Sequence, residues 1–232
     1  MTTTEATDEY IISEDTAATM LAHSPWKRMV TIGDSVAEGI REPVPGYKDL
    51  SWSTRIENVL RFVHPDLAAL NLGKRDLITA EVKETQLDDA LSFHADLAFV
   101  ICGGNDFLRP GFSPDAVRRD LEEMVSALRG QGADVVTFGM FDIAEAGLVP
   151  EKYAASVSAA IKTLSRLTED VARTYGAIFV DFAPHPLGSD LSIYSSDKLH
   201  LNARGHALAA TEKIKALAGH LELVGRRAAT DG

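Results

Sequence analysis

Val30-Thr31-Ile32-Gly33-Asp34-Ser35 is the stretch on which the reading of this chain turns. A short run of aliphatic and β-branched side chains stops at a glycine, and a hydroxyl follows two residues later. Runs of this kind read as strands buried on both faces of a sheet. Working outward, four more of them follow: Ala68 to Leu72, Leu97 to Cys102, Asp134 to Met140 and Ala177 to Phe182. Longer segments with helical spacing lie between. Ser53 to Phe62 places Ile56, Leu60 and Val63 on one face, and Leu77 to Leu91 is a second helix. Ser113-Pro114-Asp115 opens a third, with Ser113 as N-cap, Pro114 at the first helical position and Gly130 or Gly132 as its end. Tyr153 to Tyr175 and Asn202 to Leu221 are the last two.

Strands that alternate with helices imply parallel pairing through right-handed crossovers, hence an α/β sheet with helices on both faces. At 232 residues the chain fits one such domain better than two. Residues 26–224 are expected to form it. Residues 1–25 read as a polar arm with one short helix from Asp15 to His23, and residues 225–232 as a frayed polar tail. The net charge of −11 argues against a nucleic-acid groove, which needs clustered Lys and Arg, and against an anionic membrane surface. No apolar run reaches membrane-spanning length, and residues 1–15 lack the basic and apolar regions of a secretory signal. With Cys102 as its one cysteine the chain can build neither an internal disulfide nor a multi-cysteine zinc site, and its histidines show no metal-ligand spacing. A cytoplasmic protein without a metal is the expectation.

Sheets of this class place their chemistry just beyond the C-terminal ends of the strands. The first strand ends in Gly33-Asp34-Ser35, the second in Asn71-Leu72-Gly73 and the third in Gly103-Gly104-Asn105-Asp106; after the fifth comes Asp197-Lys198-Leu199-His200. A serine hydroxyl needs a base in hydrogen-bond contact, and His200 can supply it. The imidazole in turn needs an acceptor on its other nitrogen, and Asp197 stands three residues away. The amides of Ser35 and Gly73 and the side-chain NH2 of Asn105 are candidate donors for a developing oxyanion. A phosphate-binding loop is excluded, because Gly33-Asp34-Ser35-Val36-Ala37-Glu38-Gly39 is not G-x-G-x-x-G and carries two acids.

These four blocks, in order and at strand ends, resemble the SGNH (GDSL-type) hydrolase superfamily, and the match runs from about Lys27 to Leu221. The resemblance implies a flavodoxin-like three-layer α/β/α sandwich on a five-stranded parallel sheet, with neither a metal nor an organic cofactor. It assigns the nucleophile to Ser35, the base to His200, the acid to Asp197 and the oxyanion hole to Ser35, Gly73 and Asn105. The second block departs from the pattern, with Lys74-Arg75-Asp76 where a further glycine is often found.

The expected substrate is a small acyl ester, bound by loops that offer Tyr47, Trp52, Phe107, Leu108, Phe141 and Tyr194 as apolar lining. Arg109, and Arg41 with it, could meet an acidic group. Other readings stay open here: an acyltransferase or a thioesterase on the same site, and a silent ligand-binding module on the same fold. Oligomeric state is not readable from the sequence.

Overall fold

The computed structural model describes residues 3–230, with side chains through residue 226; the rest of the expected arm and tail, residues 1–2 and 231–232, lies outside the described residues. In chain order the elements are α1 (Glu14–Met20), β1 (Arg28–Gly33), α2 (Ser35–Glu38), α3 (Trp52–Val63), β2 (Ala68–Asn71), α4 (Thr79–Ser92), β3 (Leu97–Ile101), α5 (Gly104–Leu108), α6 (Pro114–Gly130), β4 (Asp134–Gly139), α7 (Glu151–Tyr175), β5 (Ile178–Asp181) and α8 (Ala203–Thr230). The five strands form one parallel sheet in the order β2-β1-β3-β4-β5. After β1 the chain visits β2 on one side and then crosses to β3 on the other. That reversal opens a crevice at the C-terminal end of β1, where Ser35 stands.

Alternation along β3 shows how both faces are covered. Leu97, Phe99 and Ile101 pack with Trp52, Ile56, Leu60, Leu208 and Leu217 beneath α1, α3 and α8. Ala98 and Val100 point the other way, into a core with Val82, Leu121, Met124 and Leu164 from α4, α6 and α7. Local chemistry sets the helix starts. Ser113 accepts from the Ala116 amide ahead of Pro114, and Ser51 accepts from the Thr54 amide, so α3 begins at Trp52 rather than Ser53. The strands stop one residue short of Leu72, Cys102, Met140 and Phe182, where the chain turns into the loops.

Both ends of the chain differ from expectation. Residues 3–25 do not form a separate arm, because Leu21 is fully buried and Asp8 is paired with Arg204 of α8 at 2.8 Å. The tail expected to fray from residue 225 continues α8 to Thr230. Gly225 does not take the left-handed conformation that ends α7 at Gly176, so it does not stop the helix.

Candidate active site

The end of β1 is built to present Ser35. Gln86 grips Gly33 from α4, accepting from its amide at 2.7 Å and donating to its carbonyl at 2.9 Å. Gly33 has φ 146°, and a Cβ there would run into the Ile101 carbonyl, so only glycine suits this strand end. Asp34 then caps α2, accepting from the Val36 amide at 3.0 Å. Ser35 is therefore the first residue of α2, not its N-cap. Its amide is one of the donors that a helix start leaves without an intrahelical partner. Burial raises the Asp34 carboxyl to about 7, the Val36 amide partly offsets this, and the nearby Asp106 carboxylate adds to the rise.

The Ser35 Oγ lies 2.7 Å from His200 Nε2, and His200 Nδ1 lies 2.7 Å from Asp197 Oδ2. The other Asp197 oxygen accepts from the amides of Leu199 and His200, each at 2.9 Å. Partial burial pushes the Asp197 carboxyl up, but the bonds from His200 and these amides outweigh it and hold the group below its usual range. An ionised carboxylate only accepts, so Nδ1 carries the proton and Nε2 is free to accept from the serine hydroxyl. Ser35 is 8% exposed and His200 9%, so the pair is shielded yet open to a ligand. Residues 197–200 do not form a helical turn. Lys198 takes a left-handed φ of 61°, and the segment is a tight turn instead.

Of the oxyanion donors expected at Gly73 and Asn105, neither is wholly free. The Gly73 amide donates to Asn71 Oδ1 at 2.8 Å, a turn that Asn-x-Gly favours. Glycine at this position has a packing reason too, since a Cβ would collide with the backbone of α2 at Ala37 and Glu38. Asn105 spends one N–H on the Leu77 carbonyl at 2.9 Å and retains a second. Asp106 accepts from the amide and hydroxyl of Thr79, a structural bond. Burial, followed by the neighbouring carboxylates of Asp34 and Asp106, pushes the Cys102 thiol well up, which leaves it inert.

A cavity of about 70 Å³ opens beside His200, walled by Val36, Phe138, Phe141, Ile143, Tyr194 and Leu199 among others. Of the residues expected to line a substrate site, Phe141 and Tyr194 line this cavity, whereas Tyr47, Trp52, Phe107, Leu108 and Arg109 do not. Trp52 is a core residue stacked edge-on against Phe99, with Nε1 donating to the Val36 carbonyl at 2.7 Å. The Tyr47 hydroxyl is turned toward Asp8 at 2.8 Å. Phe107 packs on Phe112, and Leu108 is exposed on the surface. Arg109 is occupied by Glu81 and the Asp76 carbonyl, and Arg41 by Asp49. Val36, Ile143 and Leu199 escaped the sequence reading, although Val36 and Leu199 adjoin its two central residues. A larger hollow of about 290 Å³ lies between β5 and α7 and shares only Met140 with this cavity. His206 is a buried structural residue. Burial lowers it to about 3 against the pull of the Ile40 carbonyl, and its ring bridges the Trp52 amide and that carbonyl. Among the described residues no cluster of three His, Cys, Asp or Glu could hold a metal ion, and no helix is long and apolar enough to cross a membrane.

Solved structures with this fold include LAE5, an α/β hydrolase enzyme from the metagenome of Lake Arreo, Spain. It has 18% identity and a TM-score of 0.66, over 83% of this chain and 95% of that one. TesA matches with 21% identity and a TM-score of 0.65, over 82% and 97%. Axe2, an acetylxylan esterase from Geobacillus stearothermophilus, matches with 16% identity and a TM-score of 0.64, over 82% and 93%. Among curated proteins, an arylesterase of Vibrio mimicus is 29% identical over 111 residues, 47% of this chain; the match spans about half of that relative's length, 52%. The model of the GDSL-like lipase/acylhydrolase family matches residues 31–208, from the β1 strand that leads to Ser35 into the helix that follows His200. On a match over well more than half of its length, the chain belongs to the GDSL-like lipase/acylhydrolase family.

Proposed function

We propose that this protein is a serine ester hydrolase that cleaves a small acyl ester through an acyl-enzyme on Ser35. The observation that carries the reading is the unbroken relay from Ser35 Oγ to His200 Nε2 and from His200 Nδ1 to Asp197, each link 2.7 Å. In the acylation step Nε2 takes the Ser35 proton as Oγ bonds to the ester carbonyl carbon. The Ser35 amide and the second N–H of Asn105 are the donors for the oxyanion, with Gly73 able to share its amide between Asn71 and the substrate. The carbon–oxygen bond to the alcohol then breaks, and His200 returns its proton to the departing oxygen. Water repeats the cycle on the acyl-enzyme, giving up a proton to Nε2 and releasing the acid and a reprotonated Ser35. The arylesterase and acetylxylan esterase among the related proteins agree with an ester substrate.

A serine-reactive phosphonate is expected to add to Ser35 and stop hydrolysis of a chromogenic acetyl ester. Ser35→Ala should neither label nor turn over; retained turnover in that variant would sink the reading. Product formation that depends on an added alcohol would instead favour acyl transfer.

The cavity beside His200 bounds the acyl group. An apolar cavity of about 150 Å³ takes benzene, so about 70 Å³ suits a smaller group, a short acyl chain. In a series of ester substrates kcat/KM should be highest for acyl groups of about two to four carbons, since each further methylene needs space that the wall does not provide. A rate that climbs steadily through octanoyl would exclude this cavity as the acyl site.

A further inference from the structure

Beside the His200–Ser35 bond itself, the turn that carries Asp197 and His200 is tied to the segment that follows Ser35 through Glu42. The Glu42 carboxylate accepts from the Ser196 amide at 2.9 Å and from the Ser196 hydroxyl at 2.5 Å, immediately before Asp197. Its backbone carbonyl accepts from the Ala203 amide at 2.8 Å, at the start of α8. Both ends of the turn are therefore pinned to the same residue. Bonds inside the turn, such as Ser195 N to the His200 carbonyl at 2.8 Å, fix its shape but not its distance from Ser35. Among the described residues, every hydrogen bond between residues 195–203 and residues 36–52 is made by Glu42.

The other end of this strut is equally fixed. The amides of Gly39 and Ile40 donate to the Ser35 carbonyl at 3.0 and 3.1 Å, and His206 bonds the Ile40 carbonyl at 3.1 Å. Arg41 holds the Gly39 carbonyl at 3.0 Å while paired with Asp49. Residues 35–42 thus form one braced length of chain with the serine at its start and Glu42 at its end. The two bonds from Ser196 hold the Glu42 carboxyl below its usual range, so it is ionised near neutrality. Glu42 is exposed, and water can replace these bonds when its side chain is lost. The fold then survives with the Ala203 bond to the Glu42 carbonyl in place, but the Ser196 end of the turn loses its tie.

We propose that Glu42 is a positioning residue that sets the separation of the Ser35 hydroxyl and the His200 imidazole through Ser196. The proposal rests on the role of Ser35 and His200 put forward above. A displacement of about 1 Å at a reacting pair costs up to about 100-fold in rate. Glu42→Ala is accordingly expected to lower kcat by about 10- to 100-fold with KM and Tm close to those of the unaltered protein. The rate of Ser35 phosphonylation should fall in parallel. Glu42→Gln keeps a carbonyl oxygen for the Ser196 amide and should recover most of the loss. Ser196→Ala should add little on top of Glu42→Ala, because the two share one interaction.

A Glu42→Ala variant that phosphonylates and turns over within about twofold of the unaltered protein would overturn the proposal. So would a loss confined to KM, or a Glu42→Gln variant as impaired as Glu42→Ala. If the unaltered protein itself fails to label at Ser35, the hydrolase reading and the role of Glu42 fall together. If it labels normally and Glu42→Ala labels as fast, only the role of Glu42 falls.

Discussion

Replacing His200 with alanine is expected to lower kcat/KM for a short acyl ester by about 10⁴- to 10⁶-fold, with the fold intact. Among the described residues the imidazole is the base that hydrogen-bonds Ser35 Oγ, at 2.7 Å. Without it the hydroxyl must lose its proton to water, while the oxyanion donors and the binding cavity remain and supply the residual rate. The turn should keep its shape, because the Asp197 bonds to the amides of Leu199 and His200 do not involve the ring. Asp197→Asn makes a sharper test of the same relay. Its amide oxygen can still accept from those two amides, but an NH2 facing Nδ1 forces that nitrogen to become an acceptor. The proton then moves to Nε2, which can no longer accept from Ser35, and a loss of about 10⁴-fold is expected. Steady-state kinetics beside thermal melts would decide the matter. A His200→Ala variant with activity within tenfold of the unaltered protein would remove His200 from the mechanism.

The second large effect concerns stability. Lys213 of α8 is 1% exposed, and its Nζ faces the rings of Trp52 at 4.5 Å, Phe182 at 4.6 Å and Phe138 at 5.4 Å. Among the described residues no carboxylate lies close enough to form an ion pair with it. Burial lowers its pKa from 10.5 to about 7. Each tenfold change in proton affinity is worth about 1.4 kcal/mol, so housing the charged form costs about 5 kcal/mol. The ring faces offset about 0.5–2 kcal/mol of this. Below pH 7 the folded and unfolded chains both hold the proton, and the full cost is present. Between 7 and 10.5 the unfolded chain binds more protons than the folded one, so stability rises with pH, and above 10.5 the cost is gone. Lys213→Met fills much the same space without a charge. It is expected to stabilise the protein by about 2–4 kcal/mol at pH 6, or roughly 5–15 °C in Tm, and the gain should shrink toward pH 10. Asp34, raised to about 7, acts in the opposite sense at lower pH, where stability falls from about 3.8 upward; it is common to both proteins and cancels in the comparison. An equal difference between the two proteins at pH 6 and pH 10 would contradict the assignment.

The strands were readable because a sheet covered on both faces demands unbroken apolar runs, and Met29 to Ile32 or Leu97 to Ile101 cannot easily be anything else. The four blocks at strand ends were readable for the same reason, since the strands locate them. What escaped depends on partners distant in sequence. Trp52 beside a loop reads as lining, yet Phe99, far along the chain, claims it for the core. The burial of Lys213 has no local signal either, because it depends on the rings of Phe138 in β4 and Phe182 just past β5. Arg109 reads as free until Glu81 of α4 comes alongside. Glu42 gives no local signal at all, because its work is done on Ser196, which only the closed fold brings near. The engagement of Gly73 by Asn71 is the exception: an Asn two residues before a glycine is a local turn signal, and it was there to be read.

The docking of residues 3–25 onto the body also bears on the order in which the chain assembles. Asp8 is held by Arg204, and the Ile12 amide reaches Thr211 Oγ1 at 3.3 Å, so this segment meets partners 196 and 199 residues further along the chain. Until α3 and α8 have formed, the apolar side chain of Leu21 lacks the core that it joins in the native state. Contacts between such distant parts of the sequence form slowly, and apolar surface left waiting is prone to aggregation. The closing of the N-terminal segment over α3 and α8 is thus expected to be the last step of folding and, by the same token, the first place where the protein opens.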